Sequence, residues 1–217
     1  LLALLRPAKA EGWSKQAFLE KASQIGGVYV PSFYKPVYND DCTINHFDVH
    51  PGAPEKVTKR IIADMNSVHF PLSPIVPSTE VVHDRVNLEL FRGCVRGCRF
   101  CQAGHVYRPI RAKSPELLAE QGKALLKNTG CQDITLLSLS SSDYRCLSEL
   151  CDELLGYCEP RSIGLSLPSL RADNFSMDIM HRIQKTRKSG LTFAPEAGSQ
   201  RLRDAINKNV TEEDLLH

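Results

Sequence analysis

Apolar stretches recur at nearly even spacing through residues 81–217, with amphipathic stretches between them, and this alternation limits the fold more than any other feature of the sequence. Val86, Leu88 and Leu90 alternate as a strand does. Ile134 to Leu139 is a near-continuous apolar run, as expected for a parallel strand covered on both faces. Ile163, Leu165 and Leu167 predict a third strand, and Leu191 to Ala194 a fourth. Ser114-Pro115-Glu116 reads as an N-cap, a proline at the first helical position and a first-turn acid, and Gly130 as the stop of that helix. Leu117, Leu118, Leu125 and Leu126 line one side of it, with Gly122 leaving room for close packing. Leu147, Leu150, Cys151, Leu154 and Cys158 fall at helical spacing, as do Ile179, Met180 and Ile183, and Leu202 with Ile206 belongs to a fourth helix. Thr211-Glu212-Glu213-Asp214 reads as the start of another. The pattern predicts an α/β fold: a parallel sheet with right-handed crossovers and helices outside.

The remainder reads differently. Residues 1–38 look like the tail of a domain, with Ser14 capping a helix from Lys15 to about Ile25 and Gly26-Gly27 ending it. Residues 39–80 read as a proline-rich linker, with prolines at 51, 54, 71, 74 and 77 and one strand from Val57 to Ala63. Asp48-Val49-His50-Pro51-Gly52 approaches the D-x-H-x-x-G pattern of cobalamin ligation. Its glycine comes one residue early, so a turn carrying a solvent-facing histidine is expected instead. The abrupt start at Leu1 and stop at His217 suggest a piece of a longer protein. A hydrophobic content of 42% suits a core, and a net charge of +2 argues for neither a nucleic-acid binder nor an acidic partner. No apolar run approaches a membrane span, and Leu1 to Leu5 is too short for a secretory leader. Of the eight cysteines three are clustered, which points to a reducing cytoplasm rather than a disulfide framework. Cys42, Cys131, Cys146, Cys151 and Cys158 read as structural.

The clustered three are Cys94, Cys98 and Cys101, at the spacing C-x-x-x-C-x-x-C, on the loop leaving the first predicted strand. Soft thiolates this close suit an iron–sulfur cluster or zinc. Zinc normally closes with a fourth protein ligand. The next cysteine is Cys131, and His105 would make an unusual zinc knot on a strand–loop–helix turn. An open coordination position is therefore expected, with a non-catalytic structural zinc or iron–sulfur module as the alternative. Arg92, Arg96, Arg99, Arg108, Arg111 and Lys113 surround the thiols with no acid among them. Cationic neighbours stabilise a net-negative cluster and raise its potential, and they can also meet an anionic substrate such as RNA phosphates.

With Phe100 before the last cysteine, the motif resembles the radical S-adenosylmethionine superfamily, whose signature is C-x-x-x-C-x-aromatic-C. The resemblance implies a partial (βα) barrel, of which the four units here form about the first two-thirds. It implies a 4Fe-4S cluster on Cys94, Cys98 and Cys101, its fourth iron chelated by S-adenosylmethionine. An electron from a reductant such as flavodoxin or ferredoxin then releases a 5′-deoxyadenosyl radical. Cofactor contacts are expected from Phe100 and Gly104 in the loop and from Ser138 and Ser140 after the second strand. Arg171 after the third strand and Glu196 after the fourth complete the expected set. For several of these a plainer role competes: Ser142 or Asp143 as an N-cap, Glu196 as a first-turn acid, Arg171 as a solvated charge. Val81 to Arg85, Arg92 to Arg111 and Phe193 to Arg203 are further similar to a bacterial subfamily carrying a cobalamin-binding domain, of which residues 1–38 would be the Rossmann-like tail. That kinship implies possible dependence on cobalamin, with methyl or methylthio transfer to RNA or a small metabolite among the reactions of related enzymes.

Overall fold

The computed structural model describes residues 1–174, 176–186 and 190–216. The chain divides into two compact units, Leu1–Ile61 and Ile62–His217.

The first unit opens with α1 (Leu2–Ala10) and α2 (Lys15–Ser23). Ser14 caps α2 as expected, its hydroxyl accepting from the Ala17 amide at 3.2 Å. An antiparallel hairpin follows, β1 (Tyr34–Tyr38) against β2 (Ile44–Val49), with Tyr34 opposite Val49. It runs through the boundary expected between residues 38 and 39. Asn39 and Thr43 close the turn with a 2.8 Å backbone hydrogen bond, and Cys42 takes positive φ there. Val30, Phe33 and Tyr34 form the unit's small core. His50 lies beside a turn, as anticipated, but its ring stacks on Phe33 at 4.5 Å instead of facing solvent. Residues 57–63 form no strand; the Val57 side chain packs against the hairpin core instead.

The second unit begins with irregular chain that is anchored, not a free linker. Met65 is fully buried, and the Asn66 side-chain Oδ1 accepts the Ser114 amide at 2.8 Å. The regular elements then follow in order: β3 (Val86–Glu89), β4 (Phe91–Arg92), α3 (Ala103–Val106), β5 (Arg111–Ala112) and α4 (Pro115–Thr129). After them come β6 (Asp133–Leu137), α5 (Leu147–Cys158), β7 (Gly164–Ser166) and α6 (Met177–Thr186). The short helices α7 (Gln200–Ala205) and α8 (Glu213–Leu216) complete the series.

Strands β3, β6 and β7 form a parallel sheet in that order, with Val86 beside Ile134 and Ile134 beside Leu165. Helix α4 crosses from β3 to β6, and α5 from β6 to β7. Ser114 caps α4 and Gly130 ends it in the left-handed conformation, both as the sequence indicated. Leu88, Ile134 and Leu136 from the sheet pack with Leu118, Leu150, Leu154 and Ile183 from the helices. A Cβ on Gly122 would come within 3.1 Å of both Ile134 and Leu154, which is why α4 can lie so close. Cys151 and Cys158 are wholly buried packing residues, and all eight cysteines are free thiols.

The fourth expected strand is not formed: residues 191–195 carry no ladder hydrogen bonds. Pro195 lacks a donor, and Glu196 turns the chain at a φ of 68°. Leu202 is exposed on α7, whose buried residue is Arg203. The N-cap expected of Ser142 or Asp143 is also absent, since α5 starts four residues after Asp143. Among the described residues no helix is long and apolar enough to cross a membrane.

Candidate active site

The cysteine loop leaves the sheet at the carboxyl end of β3, the end at which ligands bind in parallel α/β architectures. The chain continues through β4, turns at Gly93 and returns antiparallel through β5, with Phe91 opposite Ala112. Gly93 has a φ of 108°, and a Cβ there would lie 2.7 Å from the Tyr107 carbonyl and 2.8 Å from that of Pro109. Only glycine fits this entry to the motif. Cys98 is buried, while Cys94 and Cys101 are half-buried. The Cys101 amide donates to the Cys98 carbonyl at 3.0 Å. Gly97, also at positive φ, packs backbone to backbone against Gly104. Phe100 is exposed.

Arg96, between Cys94 and Cys98, points back to the strand ends. Its Nε donates to Asp143 at 2.8 Å, its Nη2 donates to the other oxygen of the same carboxylate, and its Nη1 donates to Asp173 at 3.1 Å. Arg171 grips Asp173 with two bonds of 2.8 and 3.0 Å and donates to the Lys208 carbonyl at 2.7 Å. Asn174 bonds Asp143 at 3.2 Å and the Ser142 carbonyl at 2.7 Å. Burial, the largest influence, would raise the Asp143 carboxyl; Arg96, with help from Ser140 and Asn174, outweighs it and holds the group below the usual carboxylate range. The fork of Arg171, expected to meet a ligand carboxylate, is thus occupied by a protein one.

The segment after the fourth expected strand closes over the same loop. Asn207 donates to the Gly97 carbonyl at 2.9 Å, and the Arg99 amide donates to Ile206 at 2.9 Å. The Arg99 guanidinium reaches the Ala205 carbonyl. Buried Arg203 holds the turn from within, bonding the carbonyls of Ala197, Gly198 and Val210. Glu196 pairs with Lys208 at 3.1 Å. Ser169, Glu196, Asn207 and Asn209 all take positive φ around this mouth, and such strain in non-glycine residues gathers at functional sites.

On the β6 loop, Ser138 Oγ lies 3.1 Å from Ser141 Oγ and accepts the Ser140 amide at 3.3 Å. Ser140 Oγ is buried without a partner of hydrogen-bond geometry, although it is near enough to Asp143 to influence it. A cleft of about 890 Å³ opens beside the cysteine loop, lined by Val95, Arg96, Lys113, Asp143, Arg145 and Asn209 among others. A smaller cavity of about 300 Å³ lies at the opposite end, where β3 begins. The larger is the candidate substrate site, because it shares the carboxyl end with the thiols.

The loop offers three soft thiols and no carboxylate of its own, a donor set that fits an iron–sulfur cluster. Among the described residues no three His, Cys, Asp or Glu side chains are gathered as one metal ion would need. A four-iron cluster asks for a different spacing, since each thiolate takes its own iron. The unpartnered Ser140 hydroxyl suits a polar ligand at the same mouth.

Residue spacing pointed to the thiols, and position at strand ends together with the family resemblance to Ser138, Ser140 and Glu196. It missed Asp143, Asp173, Asn174 and Asn207 as partners of the loop; their only signal was position just beyond a predicted strand or helix end.

The parallel sheet carries a three-cysteine loop at its carboxyl edge, and the sequence profile of the radical SAM superfamily matches residues 88–217. The chain belongs to that superfamily. An uncharacterized protein of Methanocaldococcus jannaschii is 40% identical over 133 residues, 60% of this chain and 28% of the relative. A protein of the same organism, provisionally named a methylthiotransferase, is 26% identical over 143 residues, 60% of this chain and 30% of the relative. The chain therefore spans less than a third of the length of these relatives.

Proposed function

We propose that residues 62–217 are part of a radical S-adenosylmethionine enzyme in which Cys94, Cys98 and Cys101 hold three irons of a 4Fe-4S cluster. The observation that carries this reading is the position of the three-thiol loop at the carboxyl end of β3, beside the cleft. With cluster and S-adenosylmethionine bound, the chemistry supplied is reductive cleavage of the sulfonium to a 5′-deoxyadenosyl radical.

The chain's own residues then have distinct tasks. Gly93, Gly97 and Gly104 let the loop fold tightly, as it would need to for its thiols to reach one cluster. Ser138 and Ser140 would hold the cofactor's amino group, Ser140 with a buried hydroxyl that has no well-formed bond within the chain. Glu196 serves the ribose hydroxyls once released from Lys208, an exchange that is easy for a partly exposed pair. Phe100 covers the outer side of the loop, and Arg171 acts through Asp173. The direct progression β3, β6, β7, without a reversal of strand order, supports the partial barrel. Eight free thiols support a reducing, cytoplasmic setting with a small electron-transfer protein as reductant. Kinship with the provisionally named methylthiotransferase favours sulfur-group transfer as the reaction class. The first unit, two helices and an antiparallel hairpin, lends no support to cobalamin binding.

Anaerobic purification tests the reading. A brown protein with about four irons, paramagnetic on reduction, perturbed by S-adenosylmethionine and releasing 5′-deoxyadenosine, is expected. A colourless zinc protein would establish the structural alternative.

A further inference from the structure

The basic residues of the cysteine loop divide by what they touch. Asp143, Arg96, Asp173 and Arg171 alternate in sign and are largely buried, with side-chain exposures of 10%, 26%, 13% and 8%. The four charges sum to zero, so the quartet as a whole adds no net charge beside the thiols, although Arg96 acts on Cys94 and Arg171 on Cys98 at close range. The three bonds of Arg96 reach two other strand ends: Asp143 beyond β6 and Asp173 beyond β7. Arg99 differs. Its guanidinium bonds a carbonyl, and among the described residues no carboxylate pairs with it, so its charge remains uncompensated.

We infer that Arg96 is a positioning residue that ties the cysteine loop to the ends of β6 and β7, and that Arg99 supplies the loop's electrostatic compensation. The inference rests on the proposed cluster site and assigns separate roles to two arginines three residues apart in one motif. A guanidinium is required for the first task, since only its planar fork makes two parallel bonds to Asp143 and still reaches Asp173. The second task needs only a cation, because a positive charge near a cluster favours its reduced, more negative form.

Two measurements on the full chain separate the roles. In the cluster-free protein, hydrogen exchange of residues 94–101 and 138–143 is expected to be about tenfold faster in Arg96→Lys than in the wild type, because charge without the fork leaves bonds unmade. Arg99→Gln leaves that exchange unchanged. In reconstituted protein, an EPR-monitored redox titration is expected to give a lower potential for Arg99→Gln, restored by Arg99→Lys. The neutral double variant Arg96→Gln/Asp143→Asn keeps the wild-type potential while its loop exchanges fast. Should Arg96→Lys unfold the chain, Asp173→Asn leaves the Asp143 fork in place, weakens the third bond of Arg96 together with the Arg171 pair, and is expected to accelerate exchange about threefold. Wild-type exchange in Arg96→Lys or, in its place, Asp173→Asn overturns the tether. A potential in the double variant as low as that of Arg99→Gln overturns the division of roles. If the wild type takes up no cluster, the proposed function fails, while the exchange measurement still decides the tether.

Discussion

Arg96 and Asp143, 47 residues apart in the chain, meet through both guanidinium edge nitrogens and both carboxylate oxygens. The pair is mostly buried and locks the cysteine loop to the loop after β6. Asp143→Ala leaves Arg96 half-satisfied and is expected to lower unfolding free energy by about 2–4 kcal/mol. Glu196→Gln breaks an exposed-edge pair with Lys208 and is expected to cost about 0–1 kcal/mol. Urea melts of both variants check the contrast. The acid limb follows the same pair: a carboxyl held below its usual range stabilises the fold above that range. Its contribution fades as pH falls through the folded value, so Asp143→Ala should flatten the wild type's acid destabilisation.

Gly93→Ala is the sharper test of the loop. Its Cβ would meet two backbone carbonyls, which cannot swing aside as a side chain can, at a φ that L-residues rarely adopt. A loss of about 2–4 kcal/mol is expected, together with poor cluster uptake. A variant as stable as the wild type, loading iron equally well, would remove the strained entry from the account.

Much of the second unit was legible because burial on both faces writes itself into the sequence. Ile134 to Leu137 and Leu150, Cys151 and Leu154 announced β6 and α5, and Ser114-Pro115 with Gly130 set the ends of α4. The hairpin of the first unit was not legible. Its strands are largely exposed, so alternation is weak, and residues from Asn39 onward read as linker. The fourth strand was over-read from four residues whose apolar character does not lead to pairing. In the site, the thiols stood out by spacing alone. The partners of Arg96 did not, because no local pattern links residue 96 to residues 143 and 173; the fold brings them together.

Ser140→Ala should divide stability from ligand binding. The hydroxyl is buried without a well-formed bond, so its removal is expected to change the stability of the cluster-free chain by less than about 1 kcal/mol. The same change is expected to weaken S-adenosylmethionine binding to the reconstituted protein several-fold, measured by the cofactor's effect on the EPR signal. Unchanged binding would remove Ser140 from the cofactor site.

Cys151 and Cys158 answer the sequence-level question of which thiols are chemically silent. Burial pushes their pKa up from an ordinary value of 9.0 to about 12 and about 11. The folded chain therefore keeps these protons while the unfolded chain releases them above pH ~9. The native state then binds more protons than the unfolded one, and stability falls as pH rises from there toward the folded values. Urea melts at several alkaline pH values should show this slope. It should be shallower in Cys151→Ala/Cys158→Ala, against a lower baseline stability from the small cavities left behind. A thiol-alkylating reagent at pH 8 should modify exposed Cys42 readily in the folded chain and leave both helix cysteines untouched. Rapid labelling of Cys151 or Cys158 under native conditions would mean that α5 opens far more often than its packing between α4 and α6 implies.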